Sequence, residues 1–393
     1  MKKNLSGIYL LAALFIAGFT LSACGGDDED GQQPQKTTEA SSGTNSGNGN
    51  GNGAGEGTGS GEGDEAGTYT PHDLEIIEQN FPDEEFRKYL LAQSYGSDGM
   101  ITVEEQAGIT AIRVETYKLK SLKGIEYFTA LTSLRCANCS LTELNVTRHT
   151  ALTELYCNGN YLRALDLSHN TALTALNCQS NTSLSALDVT KNTLLTILYC
   201  DNTLLTELDV TKNTALIELS CGNNKLTDLD VTGLTQLSKL QCGTNKLTAL
   251  DVTKNTALTE LRCSRNQLTE LDVSKCSKLE LLMCGTNQLT ALDVSGNTAL
   301  SQLDCENNQL ASLKVSSKVG YLSCPMNRLK GAAMDELLAG LQTRRTAQQW
   351  NIIYNGNEEN EMTTAQVATA TAKGWIPYCW NGSTWQRYEG CDQ

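Results

Sequence analysis

Four sets of side chains in this sequence have the types and spacing to do chemistry. Ten cysteines (Cys136, Cys157, Cys178, Cys200, Cys221, Cys242, Cys263, Cys284, Cys305 and Cys324) follow one another at steps of 21 or 22 residues, with a last step of 19. Thiols in such number could pair as disulfides or hold a metal. Asp166, Asp188, Asp209, Asp230, Asp251, Asp272 and Asp293 repeat with the same step and could gather divalent cations on one strip. Asp98 and Glu105 lie in a loop of the length that wraps a single calcium ion. His72, His149 and His169 are the side chains whose ordinary pKa lies near neutrality, as acid–base work requires.

The spacing itself decides most of these cases. From about Leu131 to Leu329 one pattern repeats, Leu-x-x-Leu-x-Cys-x-x-Asn-x-Leu-Thr-x-Leu-Asp-Val, and its cleanest copy is Leu258–Val273. A fixed period in this range makes each turn one rung of a solenoid, able to bury its apolar face only against its neighbours. The pattern resembles the leucine-rich-repeat family, and the Cys in the third Leu slot is similar to that of the cysteine-ladder internalins. The resemblance covers roughly half the chain. It implies an α/β-type repeat solenoid, a curved coil with a concave parallel β-sheet.

Within each rung, strand alternation puts Leu261 and Cys263 inward and Glu260, Arg262 and Ser264 outward. The thiols are therefore core, where cysteine behaves as a small hydrophobe. Rungs sit roughly 4.8 Å apart, while a disulfide wants its Cβ atoms about 3.8 Å apart with a skewed dihedral. Stacked parallel side chains do not offer that, so the ladder is expected to stay unbridged and without metal. Asn160, Asn181, Asn224, Asn245, Asn266, Asn287, Asn308 and Asn327 fill the Asn slot and are expected to satisfy turn backbone in series. Cys139 and Thr203 replace Asn in two rungs, so Cys136-x-x-Cys139 follows from the family's Asn/Cys alternation rather than from zinc. The aspartates read as a solvated ladder offset by Lys191, Lys212, Lys254 and Lys275, three residues on. His149 and His169 are read into turn slots where Lys or Gly stands elsewhere. The histidines do not cluster and no catalytic motif occurs, so no catalytic residue and no enzyme is expected.

What does not repeat is the outward face of the strands. Its two rows read Ser133, Glu154, Ala175, Ile197, Glu218, Lys239, Glu260, Leu281, Gln302, Tyr321 and Arg135, Tyr156, Asn177, Tyr199, Ser220, Gln241, Arg262, Met283, Asp304, Ser323. Folding gives no reason for an exposed Ile197 beside Tyr199, or Leu281 beside Met283, and Tyr, Arg and Met are enriched in interface cores. The expected partner-binding residues are Arg135, Glu154, Tyr156, Ile197, Tyr199, Glu218, Lys239, Glu260, Arg262, Leu281, Met283 and Tyr321. Two partner classes stay open: a protein on a host or neighbouring cell, as the internalin resemblance implies, or a glycan stacked on Tyr156, Tyr199 and Tyr321, with Asn158 near Tyr156.

The flanks complete the organisation. Residues 1–23 read as a signal peptide, with Lys2 and Lys3 ahead of an apolar stretch from Ile8 to Leu21. Leu21-Ser22-Ala23-Cys24 resembles a bacterial lipobox, which implies acylation of Cys24 and anchoring in a membrane. Asp27-Asp28-Glu29-Asp30 resembles a surface-export signal of lipoproteins from some Gram-negative anaerobes, which implies an outer-membrane lipoprotein exposed on the cell. Residues 24–68, rich in Gly, Asn and Ser, form a tether.

Residues 69–126 are expected to be a helical N-terminal cap with a degenerate first rung around Val114. In it Thr70-Pro71 should open a helix over His72–Gln79, and Asp83 should cap a second. Ser94–Glu105 resembles an EF-hand loop, with Gly99, Ile101 and Glu105 in place. Ser94 and Gly96 stand where hard oxygen ligands belong, and Thr102-x-x-Glu105 is a capping box. The loop therefore reads as a relic, with Asp98 and Glu105 the metal candidates it leaves. The solenoid spans 127–330. Residues 331–393 form an α+β C-terminal cap, with one last strand at Trp350–Tyr354. The exported location permits a disulfide between Cys379 and Cys391.

The net charge of −15 opposes nucleic acid, whose phosphates demand clustered cations. No cofactor is expected, calcium included.

Overall fold

The computed structural model describes residues 71–354, 359–380 and 383–390. Cys24, with the leader and tether, and Cys391 lie outside the described residues.

Each rung supplies a three-residue strand whose middle Leu is sealed in the core, as Leu155, Leu198, Leu240, Leu261 and Leu303 are. The Cys after each strand is equally buried, and the described cysteines are free thiols. Strands pair in parallel register, Leu over Leu: Glu260, Leu261 and Arg262 lie opposite Leu281, Leu282 and Met283 on one side and Lys239, Leu240 and Gln241 on the other. Fourteen strands form this sheet, from Ala111–Arg113 to Trp385–Arg387. On another side of the coil, Ala291–Asp293 and Ser312–Lys314 make a small parallel pair.

Two columns of polar side chains tie the turns together. In the Asn slot, Asn266 Nδ2 donates to the carbonyls of Cys263 (3.0 Å) and Cys242 (3.1 Å), and its Oδ1 accepts from Leu247 N (3.1 Å). Thr203 keeps only part of this set, through its bond to the Cys200 carbonyl. Cys139 turns its thiol to the carbonyls of Val114 and Ala137. The second column is one that sequence reading passes over. Asn170, Asn192, Asn213, Asn255 and Asn297 are buried, each donating to carbonyls of the preceding rung, as Asn213 does to Val189 and Asn192 at 2.9 Å. Their recurrence in step with the cysteines is the signal that reveals them.

At the N-terminal end, helix α1 (Glu84–Leu91) buries Phe86 and Leu90, and Phe86 meets Phe81 edge to face while Phe81 stacks on Phe128. Its Asp83 cap accepts from Glu85 N and Phe86 N through Oδ1, and from Lys120 N and Ser121 N of the first rung through Oδ2. One carboxylate thus starts the helix and fastens it to the solenoid. The Tyr89 hydroxyl accepts from Arg113 N on the edge strand, meeting a donor that would otherwise face an open edge. The helix expected over His72–Gln79 is absent. Leu74–Glu75 is a short strand, antiparallel to Met100–Ile101, and the Ile76 amide donates to the Gly99 carbonyl. Leu74 and Ile101 are both fully buried, so pairing across the loop overrides the helical start signal.

At the other end, α2 (Val103–Gly108) having closed the N-terminal loop, the later helix α3 (Ala332–Gly340) buries Met334, Leu337 and Leu338, and α4 (Thr364–Ala372) opens on a capping box between Thr363 and Gln366. Trp350–Tyr354 is not the last strand. Gln348–Tyr354 is followed by Trp375–Trp380 in parallel and Trp385–Arg387 antiparallel, because the edge left by one strand is satisfied by the next. Trp350 and Trp375 meet edge to face at 6.1 Å, sealing the core.

Candidate functional site

The outward strand positions form the candidate site, and their side chains hold one another. Arg135 Nη2 pairs with Glu154 Oε2 at 3.1 Å, and its guanidinium lies 4.1 Å over the Tyr156 ring. Ser133 donates to the same Glu154 oxygen. Two rungs on, the Tyr199 hydroxyl donates to Glu218, which also takes Lys239 Nζ at 2.7 Å. Burial, then Glu218, pushes Tyr199 up to about 12, so it remains a donor. The Lys239 bond, then the Tyr199 bond, holds Glu218 below its usual range. Arg262 pairs with Glu260 and lies against the Met283 sulfur.

Asp201 is missed by sequence reading. It accepts from Ser220 Oγ (2.6 Å), Gly222 N (2.9 Å) and Gln179 Nε2 (2.5 Å), and it leaves Ser220 buried. Its signal is a carboxylate in a slot that is Gly at 222, 243 and 285, one it shares with Glu306.

The exposure expected of Ile197, Leu281 and Met283 is corrected: all three are half-buried, each lying between neighbouring strands. Tyr321 is the open one, 47 % exposed.

The other chemical candidates are placed as follows. Asp98 Oδ1 accepts from Met100 N, and Glu105 Oε2 accepts from both Thr102 N and Thr102 Oγ1. Glu105 is therefore spent on its own capping box. No group of three or more His, Cys, Asp or Glu among the described residues is arranged to hold a metal ion.

The aspartate ladder is fixed differently from expectation. Asp188, Asp209, Asp230 and Asp251 each accept from the amide and hydroxyl of the Thr two residues on. Those bonds lower their pKa first, and the lysines contribute less. A side chain two residues away is held by turn geometry, whereas a solvated Lys is free to swing.

His149 also departs from expectation, standing not with Lys and Gly but in the second asparagine column, one place later than His169. It is fully buried, and Nε2 meets the Ile125 carbonyl at 3.0 Å. The ladder thiols are raised by burial, so they are neutral and shielded. Ser168 Oγ meets His169 Nδ1 at 3.0 Å on an exposed turn.

No protein-family model matches the chain, and neither does any curated protein. Among solved structures, the functional domain of InlJ from Listeria monocytogenes, which includes a cysteine ladder, is 32 % identical, with 80 % of this chain and 72 % of that one covered and a TM-score of 0.65. This chain belongs to the cysteine-ladder internalin-like leucine-rich-repeat family. A second internalin of that organism, InlF, shares the fold at 23 % identity and a TM-score of 0.59, with 80 % and 98 % covered. In this internalin-like chain the ladder thiols are free and buried, and the strand face is the surface left to vary.

Proposed function

We propose that this chain is a non-enzymatic protein-binding module that docks its partner on the concave strand face. The observation that carries the reading is a face of identical backbone register on which side-chain identity alone changes from rung to rung. Six of its charged members are locked in ion pairs, Arg135 with Glu154, Lys239 with Glu218 and Arg262 with Glu260. Held this way, they lose little rotamer freedom on binding, which is where much of the cost of association lies. Half-buried Tyr156, Ile197, Tyr199, Leu281 and Met283 supply the anchors. In the fuller reading the module is tethered through an acylated Cys24 to the outer membrane of a Gram-negative bacterium and adheres to a protein of a host or neighbouring cell.

A glycan is the competing partner. Arg135 already covers one face of the Tyr156 ring, which removes a stacking surface a sugar would use and favours a protein. The test passes the chain and a Tyr156→Ala, Tyr199→Ala, Arg262→Ala variant over surface-protein and glycan panels. A protein kept by the parent and lost by the folded variant supports the reading; a glycan behaving so replaces the partner class. Equal retention by both forms overturns the strand face as the site.

A further inference from the structure

Among the acids that point outward from within the strands, one has no countercharge among the described residues. Glu154, Glu218 and Glu260 each hold a Lys or Arg, and Asp201 holds three donors. Asp304 accepts only the Glu306 amide, at 3.2 Å, and no Lys, Arg or His among the described residues pairs with it. It lies between Met283 and Ser323 in the strand register, one strand away from the exposed Tyr321 ring. The cation nearest in sequence register, Arg262, is one rung beyond Met283 and tied to Glu260.

We propose that Asp304, Tyr321 and Met283 form a socket for a Lys or Arg side chain of the protein that docks on the strand face. This rests on the reading above and deepens it. A carboxylate that is partly desolvated and unpaired costs the fold free energy, and a partner's cation is the group that removes that cost. The Asp304 oxygens offer a charge-assisted bond, the Tyr321 ring offers its face to the cation, and the Met283 thioether packs along an alkyl stem.

The titratable groups facing Asp304 are Glu306 on its own turn and Tyr321 on the next strand; Met283, on the preceding strand, carries none. Burial and then Glu306 raise Asp304 to about 6. The socket therefore carries its charge above about pH 6 and loses it below, so a basic side chain is released on acidification.

The probe is a fluorescent hexa-arginine peptide titrated into the full chain, read by anisotropy across the acid-to-neutral range. Asp304→Asn keeps the acceptor for Glu306 N and removes only the charge. It is expected to weaken binding by about tenfold and to flatten the change near pH 6. Asp251→Asn, on the distant aspartate ladder, controls for diffuse attraction to an acidic chain and is expected to leave affinity within about twofold. Asp304→Asn binding as tightly as the parent, with the same pH dependence, overturns the socket. The two readings fail separately. A panel partner lost by the triple variant but bound equally by Asp304→Asn sinks the socket alone. A hexa-arginine site that needs Asp304, in a chain whose panel partner ignores the triple variant, sinks the strand-face reading alone.

Discussion

The side-chain amide of Asn360 donates to the carbonyl of Cys324 at 2.9 Å, across thirty-six residues of chain. Asn360 Oδ1 accepts from Leu329 N at 2.8 Å, and the same amide also meets the Ile352 carbonyl. These are the bonds that Asn266 and its equivalents make within the repeats. The asparagine column thus runs on into the cap after the sequence period has ended.

Asn360→Ala should leave those backbone groups buried and unmet, and cost about 3 kcal/mol. In a quasi-one-dimensional fold the loss falls on the end rungs first. Urea unfolding, with hydrogen exchange at the Leu329 amide, checks it. An unchanged midpoint and an unchanged exchange rate would show that the cap does not depend on this residue.

His149 makes the fold acid-sensitive. Burial holds its pKa below 6.5, outweighing the bonds to Ile125 and Val146 backbone and the Glu126 charge, so the folded state keeps it neutral. The unfolded chain binds the proton near pH 6.5, and stability rises with pH wherever the unfolded state holds more protons. His149's contribution is therefore whole above about pH 6.5 and drains away as pH falls below it. His149→Asn, which restores the residue of the column, should lower the thermal midpoint less than the parent between about pH 7.5 and pH 5.5. Parallel curves for the two proteins would refute this.

Thr244 holds a φ of +56°, in the slot where Asn202 and Asn223 adopt the same left-handed turn. A β-branched residue is strained there and Asn is tolerated. Thr244→Asn should stabilise the solenoid by about 1 kcal/mol. Denaturant titration measures it, and a fall in the midpoint would contradict the strain argument.

The ladder thiols are buried, and burial raises the pKa of Cys178, Cys242 and Cys263 among others. An aromatic disulfide reagent at mildly alkaline pH should leave them unmodified in the native chain and label them all in denaturant, since only the accessible thiolate reacts. Native labelling of any ladder cysteine, mapped by mass spectrometry, would count against a sealed core.

The sequence alone determined the rung. Leu261, Cys263 and Asn266 sit in slots whose roles follow from strand alternation and one turn, and the same local problem is solved in every copy. The capping box at Thr102 and the Asp83 cap were legible for the same reason: their partners lie two or three residues away. The tertiary structure decided what depends on neighbours a rung apart or more. It paired Tyr199 with Glu218 and Lys239, moved Ile197 and Leu281 half out of water, and left Asp304 without a cation. It replaced the expected helix at His72–Gln79 with a strand, because Met100–Ile101 offered backbone partners that no local signal could announce. Periodicity specifies the scaffold because each rung repeats the same short-range energetics. The make-up of the strand face is specified only when the coil stacks residues about 21 apart side by side.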